Sequence, residues 1–494
     1  MGQHSVWTMT LVGVQTVDVQ VEVDVGAGLP TFAIVGLPDL AVQEAKERVR
    51  SALRASGYEV PNARIVVNLA PGPVRKHGTG FDLPIALGIL VATRQLPESV
   101  TRDAVAVGEL SLDGSVRPVG GMLAFALGTR ALGKRLLCAP DAEALSLAEL
   151  DTRPVRALSQ LRVGAPARAA LRPANRSRGT GSVVDFAEVV GHELAKRGLL
   201  VAAAGGHNVL MVGPPGAGKT MLARRLPTIL PPLDAGERLE TALVQSVAGI
   251  DTAPTLGGVR PFRAPHHSAS IAGLVGGGSP PRPGEASLAH NGVLFLDEMA
   301  EFGPAALQAL RQPLEDGSIT LVRAEGRLRF PARFALAGAA NPCPCGYFGD
   351  SARRCGCSPG VVERYQARIG GPLMDRIDVV LDVSRVDPGL LLGSPSGPAS
   401  AELRDRVMEA GVRAASRGSG PQALLAGAPL LRACGMSAGS RERLEQLARG
   451  QHLSGRAVTR LLRVARTIAD LEGCDSVDAE HLSEAVAYRA REGR

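Results

Sequence analysis

Aromatic side chains are scarce in this chain. Phe, Trp and Tyr make up 3% of its 494 residues, with a single Trp, so its cores must be built from aliphatic side chains and alanine. No window of about 18 uninterrupted apolar residues occurs. The longest runs, near Phe81–Thr93 and Leu199–Val212, are too short or carry polar residues, so no membrane span is expected. The N-terminus MGQHSVWTMT lacks a basic start followed by an apolar core, which argues against a secretory signal. Cysteine is sparse too: seven residues without a secretory signal point to a reducing, cytoplasmic setting. Of 55 basic residues only Lys46, Lys76, Lys134, Lys196 and Lys219 are lysines. The net charge of +7 permits nucleic-acid binding without demanding it. Hydrophobic residues at 45% and charged residues at 21% exclude a mostly disordered or fibrous chain. At about 100–200 residues per domain, two to four domains are expected.

Residues 1–161 read as alternating strands and helices. Val17, Val19, Val21, Val23 and Val25 alternate with polar residues, the period of a strand with one wet face. Asp39 caps a helix with the apolar stripe Val42, Ala45, Val49, Ala52 and Leu53, stopped at Gly57. Further strands are expected at Ala63–Leu69 and Ala104–Leu112, with a helix around Pro84–Ala92. Residues 162–183 carry Arg162, Arg168, Arg172, Arg176 and Arg178 among Pro, Gly and Ser, and read as a linker. A nucleic-acid-binding strip is the competing reading there. Residues 184–386 form a second α/β region. Residues 387–494 begin with a Gly/Ser/Pro stretch, Gly393–Ser400, and continue as a helical tail. In that tail Val458, Leu461, Leu462, Ala465, Ile468 and Ala469 share a face, with Arg460, Arg463 and Arg466 off the stripe.

The chemistry concentrates in the second region. Gly213, Pro214, Pro215, Gly216, Ala217, Gly218, Lys219 and Thr220 fit G-x-x-x-x-G-K-[ST]. An apolar strand, Asn208–Val212, precedes them, and a helical stretch from Met221 follows. Glycines let backbone N–H groups turn inward around phosphates, and a helix N-terminus adds partial positive charge. Lys219 then reaches the β- and γ-phosphates and Thr220 ligates Mg²⁺. Roughly 75 residues on, Val293–Leu296 reads as a buried strand ending in Asp297 and Glu298. Asp297 suits Mg²⁺, and Glu298 suits deprotonation of an attacking water. Alone, this pair also reads as an acidic turn; after the phosphate loop it points to ATP hydrolysis. Phe334–Asn341 is another buried strand, ending in an amide that reads either as part of the site or as an Asn-Pro turn.

These residues resemble the AAA+ ATPases of the magnesium-chelatase group, and most closely the YifB/ComM-type magnesium-chelatase-like proteins. The resemblance spans essentially the whole chain. It rests on GPPGAGKT (213–220), PFRAPHHSASIAG (261–273), GVLFLDE (292–298), FPARFALAGAANPCPCGYFGD (330–350), GPLMDRID (371–378) and SGRAVTRLLRVARTIADLEG (454–473). It implies a P-loop AAA+ core, a parallel sheet with helices on both faces, followed by an all-α lid. Asn341 falls where the family has its sensor-1 residue. Arg376 matches the arginine finger, which acts on ATP in the neighbouring subunit, and Arg456 matches the sensor-2 arginine of the lid. Val189, Val190 and Gly191 fall near the adenine, with Met221 closing the nucleotide-binding set. A finger supplied in trans implies a ring of like subunits, with a hexamer expected. Ser270–Gly284 resembles the helix-2 insert of this group. Ser318–Phe330 resembles its hairpin before sensor 1, with a turn near Glu325–Gly326. Arg323 and Arg327 flank that turn and suit contact with DNA phosphates, or a plain solvated surface. His266 and His267 are expected as structural or subunit-interface groups.

The first region resembles the peptidase domain of Lon-type proteases, through PGPVRKHGTGFDLPIAL (71–87) and GELSLDGSVRPVGGM (108–122). That implies an α+β domain and a Ser–Lys pair. Where the nucleophile would fall the chain reads Gly78–Asp82, and where the lysine would fall it has Leu123. Without an amine no general base activates a hydroxyl, and Thr79, the nearest one, has no apparent partner. A proteolytically inactive module is expected. Cys343, Cys345, Cys355 and Cys357 form two C-x-C pairs with nine residues between them. Four soft ligands can close a structural zinc site, or remain reduced thiols in a loop. The resemblance implies an ATP-driven motor on DNA like the ComM-type branch-migration helicases. The alternative is a chelatase-type motor that remodels a protein partner.

Overall fold

The valine alternation does form a strand, and it finds a partner the pattern did not announce. In the computed structural model, Gly2–Val12 (β1) pairs antiparallel with Gln15–Gly26 (β2), Val6 opposite Val21. Val19, Val21, Val23 and Val25 are buried, whereas Val17 is half-buried. The structure describes residues 2–147, 149–164, 166–170, 184–279, 281–323, 326–350, 352–369, 371–391, 397–418 and 420–489. Thr31–Val35 (β3), Arg64–Ala70 (β4) and Ala104–Val107 (β5) join the same sheet. Glu109–Leu110 (β6) and Val116–Arg117 (β7) form a small hairpin, and Arg135–Cys138 (β8) and Thr152–Pro154 (β9) complete the sheet. Its order is β3-β4-β2-β1-β5-β8-β9. The strand expected over Ala104–Leu112 breaks at Gly108, which donates to the Gly80 carbonyl and accepts from the Leu83 N–H.

Helix Leu40–Ala55 buries the five stripe residues, and Asp39 Oδ1 accepts from the Val42 N–H at 2.8 Å. Helix Asp82–Ala92 is buried along its whole length, so the apolar run there is core. Of the linker expected at 162–183, residues 162–164 and 166–170 are described. Arg162 lies within the 3₁₀ turn Leu158–Val163, its guanidinium 4.8 Å from the Tyr58 ring centre. Ala169 N donates to the Thr152 carbonyl at 2.9 Å. Arg172, Arg176 and Arg178 lie outside the described residues.

The second sheet is parallel throughout. It contains Val209–Val212 (β10), Phe262–Arg263 (β11) and Val293–Leu296 (β12). After the hairpin of Ser318–Arg323 (β13) and Gly326–Pro331 (β14) come Ala335–Ala340 (β15) and Val379–Asp382 (β16). The order is β11-β12-β15-β10-β16. Strands covered on both faces read as continuous apolar runs, as β12 and β15 do. From residue 397 on, the described elements are helical, including Ser400–Ser416, Gly455–Leu471 and Ala479–Ala487. Arg466 is not a surface residue but fully buried. Its guanidinium donates to the carbonyls of Ala433, Asp475 and Cys474 and to Asp470 Oδ1, which offsets much of the cost of burying the charge, although Nε is buried without a hydrogen-bond partner among the described residues. No helix among the described residues is long and apolar enough to cross a membrane.

The first sheet's module meets the second around a buried carboxyl, beside which Gly121 N donates to the Ser246 carbonyl at 3.0 Å and Leu123 N to Ser246 Oγ at 3.3 Å. Glu143 accepts from Ser246 Oγ at 2.5 Å, Thr252 Oγ1 at 3.0 Å and Leu123 N at 3.1 Å. Burial raises its pKa despite these donors. The folded state therefore holds its proton more tightly. Its contribution to stability is full below the unfolded pKa of about 4.3 and is lost as pH rises through the folded value. Glu143→Gln, which stays neutral, should melt at pH 7 at least as high as the native chain. In melts from pH 4 to 8 the difference should close toward pH 4. A markedly lower midpoint at pH 7 would contradict this.

Candidate nucleotide-hydrolysis site

Strands β10, β15 and β12 lie side by side and end together, so the loops that follow them share one edge. Ligands in open parallel sheets collect at such carboxyl ends. The loop after β10 is Gly213–Gly218, and helix Lys219–Ile229 starts from it. Gly218 has φ 87°, a left-handed conformation that favours glycine. Gly213 runs against the chain after β16: a Cβ there would lie 2.0 Å from the Val383 carbonyl oxygen.

Lys219 is 9% exposed. Its Nζ donates to the carbonyls of Gly213 at 2.7 Å and Pro214 at 3.0 Å, and to Asn341 Oδ1 at 3.1 Å. Burial lowers its pKa, and the charges of Asp297 and Glu298 work the other way. Thr220 Oγ1 donates to Asp297 Oδ2 at 2.7 Å, and Asp297 Oδ1 accepts from the Glu298 N–H at 3.0 Å. Glu298 itself has φ 50° and ψ 46°, left-handed for a residue with a Cβ. Such a conformation costs about 1–3 kcal/mol and persists where surroundings enforce it. Five residues from three segments far apart in sequence thus form one polar cluster. A cation, a hydroxyl, two carboxylates and an amide in this arrangement can hold a polyphosphate with its metal and present a base to water.

Val189 is buried, and Gly191, at φ 67°, packs against Val386; Val190 between them is half-buried. His192 follows. A Cβ on Gly218 would lie 3.3 Å from His192 Nε2 and 3.3 Å from Met221 Cε, so both side chains line the phosphate loop. Nothing in the local pattern singled out His192. His267, expected as a structural or subunit-interface group, places its Nδ1 3.5 Å from Glu298 Oε2.

The four cysteines converge. Their sulfurs all lie within 4.8 Å of one another, with Cys343–Cys345 at 3.4 Å, Cys345–Cys355 at 3.5 Å and Cys343–Cys355 at 3.7 Å. Four thiolates about 2.3 Å from a tetrahedral zinc would be about 3.8 Å apart, so the donor set fits a metal. The Cys345 thiol is pushed down to about 6, chiefly by the backbone N–H of Tyr347, with help from Gly356 and the Cys343 thiol. This loop also touches the phosphate loop: a Cβ on Gly346 would lie 2.6 Å from Pro215 Cδ.

Arg376 and Arg456 are neighbours at a second place. Arg376 pairs with Glu315, and Arg456, 78% exposed, pairs with Asp375 at 3.3 Å. Burial lowers the Arg376 pKa, with Arg311 and Arg456 adding to it. Arg456 makes no hydrogen bond or ion pair with the Lys219 cluster among the described residues. In the hairpin, Arg327 is exposed opposite Val322, and Arg323 stands opposite Gly326. The turn residues 324–325 lie outside the described residues. The insert contains helix Ile271–Val275, capped by Ser270, and a bridge between Gly277 and Arg282.

Three family models match the chain. Magnesium chelatase, subunit ChlI, matches residues 185–390; subunit ChlI of Mg-chelatase matches 21–143; and the ChlI C-terminal model matches 397–489. The uncharacterized protein YifB of Salmonella typhimurium is 42% identical over 490 residues, covering 98% of this chain and 96% of its own. The competence protein ComM of Haemophilus influenzae is 40% identical over 496 residues, covering 98% and 97%. The chain belongs to the YifB/ComM group of magnesium-chelatase-like proteins. It is a chelatase-like AAA+ protein. The magnesium-chelatase 38 kDa subunit of Rhodobacter capsulatus is a more distant relative of the group. It is 26% identical over 355 residues, which are 65% of this chain and 92% of that subunit. Because a ChlI model also matches 21–143, the N-terminal region does not by itself separate the group from the chelatase subunits.

In that region Thr79 does have a partner: its Oγ1 donates to Glu109 Oε2 at 2.5 Å. Lys76 is fully buried and donates to the Pro71 carbonyl, and Leu123 is fully buried. Among the described residues no amine reaches the Thr79 hydroxyl.

Proposed function

We propose that this chain hydrolyses ATP within a ring of like subunits, most simply a hexamer, and uses the energy to move DNA as a branch-migration helicase or translocase. The observation that carries the ATPase reading is the joining of Lys219 to Asn341 and of Thr220 to Asp297. In this reading Gly213–Thr220 cradle the phosphates with Met221 beside that loop, and Val189, Val190 and Gly191 lie near the adenine. Thr220 and Asp297 would hold Mg²⁺, which neutralises phosphate charge when bound. Glu298 takes a proton from the attacking water, and Asn341 orients it. Arg376 acts as the arginine finger on the ATP of the neighbouring subunit, and Arg456 as the sensor-2 arginine of the lid. Cys343, Cys345, Cys355 and Cys357 would hold a structural zinc. The N-terminal module keeps a Lon-like fold without its chemistry, and the C-terminal helices act as the lid.

The DNA reading is supported by the resemblance to ComM-type helicases, the exposed Arg327 of the hairpin and the net charge of +7. A chelatase-type motor acting on a protein partner is the second reading. It is supported by the alignment over 92% of the Rhodobacter subunit. ATP-driven displacement of a labelled strand from a four-way junction separates the two. Displacement supports the DNA motor; steady ATP hydrolysis without displacement favours the protein partner.

The trans arrangement makes its own prediction. Arg376→Ala should cut turnover by about 1,000-fold or more, the scale of an arginine finger. Mixing it with Glu298→Gln should restore part of the activity, because some interfaces then carry both native groups. Two inactive proteins that stay inactive when mixed would contradict a finger in trans.

A further inference from the structure

A cavity of about 690 Å³ lies behind the phosphate loop, across the second sheet from helix Lys219–Ile229. The side follows from strand alternation. Met211 packs with Leu222 and Ala223 of that helix, whereas Leu210 packs with Tyr365 and Ile369 on the other face. Leu210, Val212, Ala340, Val380, Tyr365 and Ile369 give the cavity its apolar walls. Lys219, Thr220 and Met221 are not among them, so it is distinct from the nucleotide cradle. Its volume suits a small organic molecule.

One polar atom marks it. Asp350, from the four-cysteine loop, lines the cavity with a side chain only 6% exposed. Its Oδ1 accepts from the Ala352 N–H at 2.8 Å, but its buried Oδ2 has no hydrogen-bond partner among the described residues. Such an oxygen is costly to bury unless a donor meets it. Arg385 Nε stands 3.7 Å away, beyond hydrogen-bond reach, and its guanidinium lies 5.6 Å from the Tyr347 ring centre. Arg489, also on the wall, donates to Gln451 Oε1 at 3.5 Å. Asp382, exposed and opposite Val212 in the sheet, adds a second carboxylate. The cavity also reaches Gly213, Pro214 and Asn341, the three residues that accept from the Lys219 ammonium.

We propose that this cavity binds a small organic cation with an apolar body, an amine, amidine or guanidine whose N–H groups meet Asp350, and that its occupant opposes ATP. A filled cavity holds Gly213, Pro214 and Asn341 on the Lys219 ammonium, which must leave them to reach the β- and γ-phosphates. ATP then weakens the cation by the same factor. The opposition to ATP rests on the ATPase reading; the binding does not.

The test uses the full-length protein with benzamidine and its neutral isostere benzamide. Calorimetry without ATP should show benzamidine binding once per subunit with a Kd of about 1 mM or tighter. Benzamide on the native protein, and benzamidine on Asp350→Asn, should bind about tenfold more weakly. The asparagine keeps an oxygen for the Ala352 N–H. Saturating benzamidine should raise the KM for ATP about fivefold with kcat within about twofold, and Asp350→Asn should not respond at that concentration. No benzamidine binding by about 10 mM, or equal binding of benzamide, overturns the site on the native protein alone. Equal benzamidine affinity in Asp350→Asn overturns it too. Binding as expected with an unchanged KM overturns the opposition to ATP. If no form of the protein hydrolyses ATP, the ATPase reading fails, and calorimetry still decides the cavity.

Discussion

Glu298→Gln should lower ATP turnover by about 100- to 10,000-fold, the range supplied by a positioned general base. ATP affinity should stay within about twofold, because the amide keeps the shape of the carboxylate and the cradle of Gly213–Thr220 is untouched. Its left-handed backbone and its 3.0 Å bond to Asp297 Oδ1 do not depend on the side-chain charge. Lys219→Ala should behave differently. That ammonium bridges two loop carbonyls and Asn341, so its loss should abolish binding together with turnover. Steady-state hydrolysis combined with binding of a fluorescent ATP analogue distinguishes the two patterns. Equal losses of affinity in both variants would contradict the division of labour proposed here.

Removal of metal from the four-cysteine loop should have the second large effect. The purified chain should carry one zinc per subunit, and Cys343→Ser or Cys355→Ser should bring that close to none. Thiolates select a soft metal, so magnesium should not replace it. The loss should reach the nucleotide site, because Cys343 follows Asn341 by two residues and Gly346 leans on Pro215. Structural zinc sites supply about 10–16 kcal/mol of apparent binding energy in small peptides, so a loop of this length should not keep its shape without the ion. ATP turnover should fall about tenfold or more on chelation, by analogy with the 10–100-fold losses seen when supporting shells are removed, and should recover on adding zinc. Metal analysis alongside turnover checks this. Full turnover in metal-free protein would contradict it.

What could be read in the sequence was local. The Asp39 cap and its five-residue stripe, the alternation of Val19 to Val25, and the limits of the hairpin are each written in neighbouring residues. The phosphate loop and the acidic strand end were legible because each carries its own strand or helix context. The contacts that join them were not. His267 meets Glu298 only because β11 and β12 are adjacent and parallel. Gly346 meets Pro215 only because β15 lies beside β10. Glu143 found its three donors across two modules, one of them the backbone of Leu123. The burial of Arg466 was not legible for a related reason. Helical periodicity ranks arginine as a surface residue, and it cannot see the carbonyls of Ala433, Cys474 and Asp475 that make its burial tolerable.

The central claim is that ATP hydrolysis at the Lys219–Asp297–Glu298 cluster is coupled to DNA. The most direct measurement is the ATPase rate of the full-length protein with no DNA, with single-stranded DNA and with a branched junction, beside Glu298→Gln. The account predicts strong stimulation by DNA that disappears in Glu298→Gln. A robust rate that is the same with every DNA, yet lost in Glu298→Gln, would contradict the coupling and turn the search toward a protein partner.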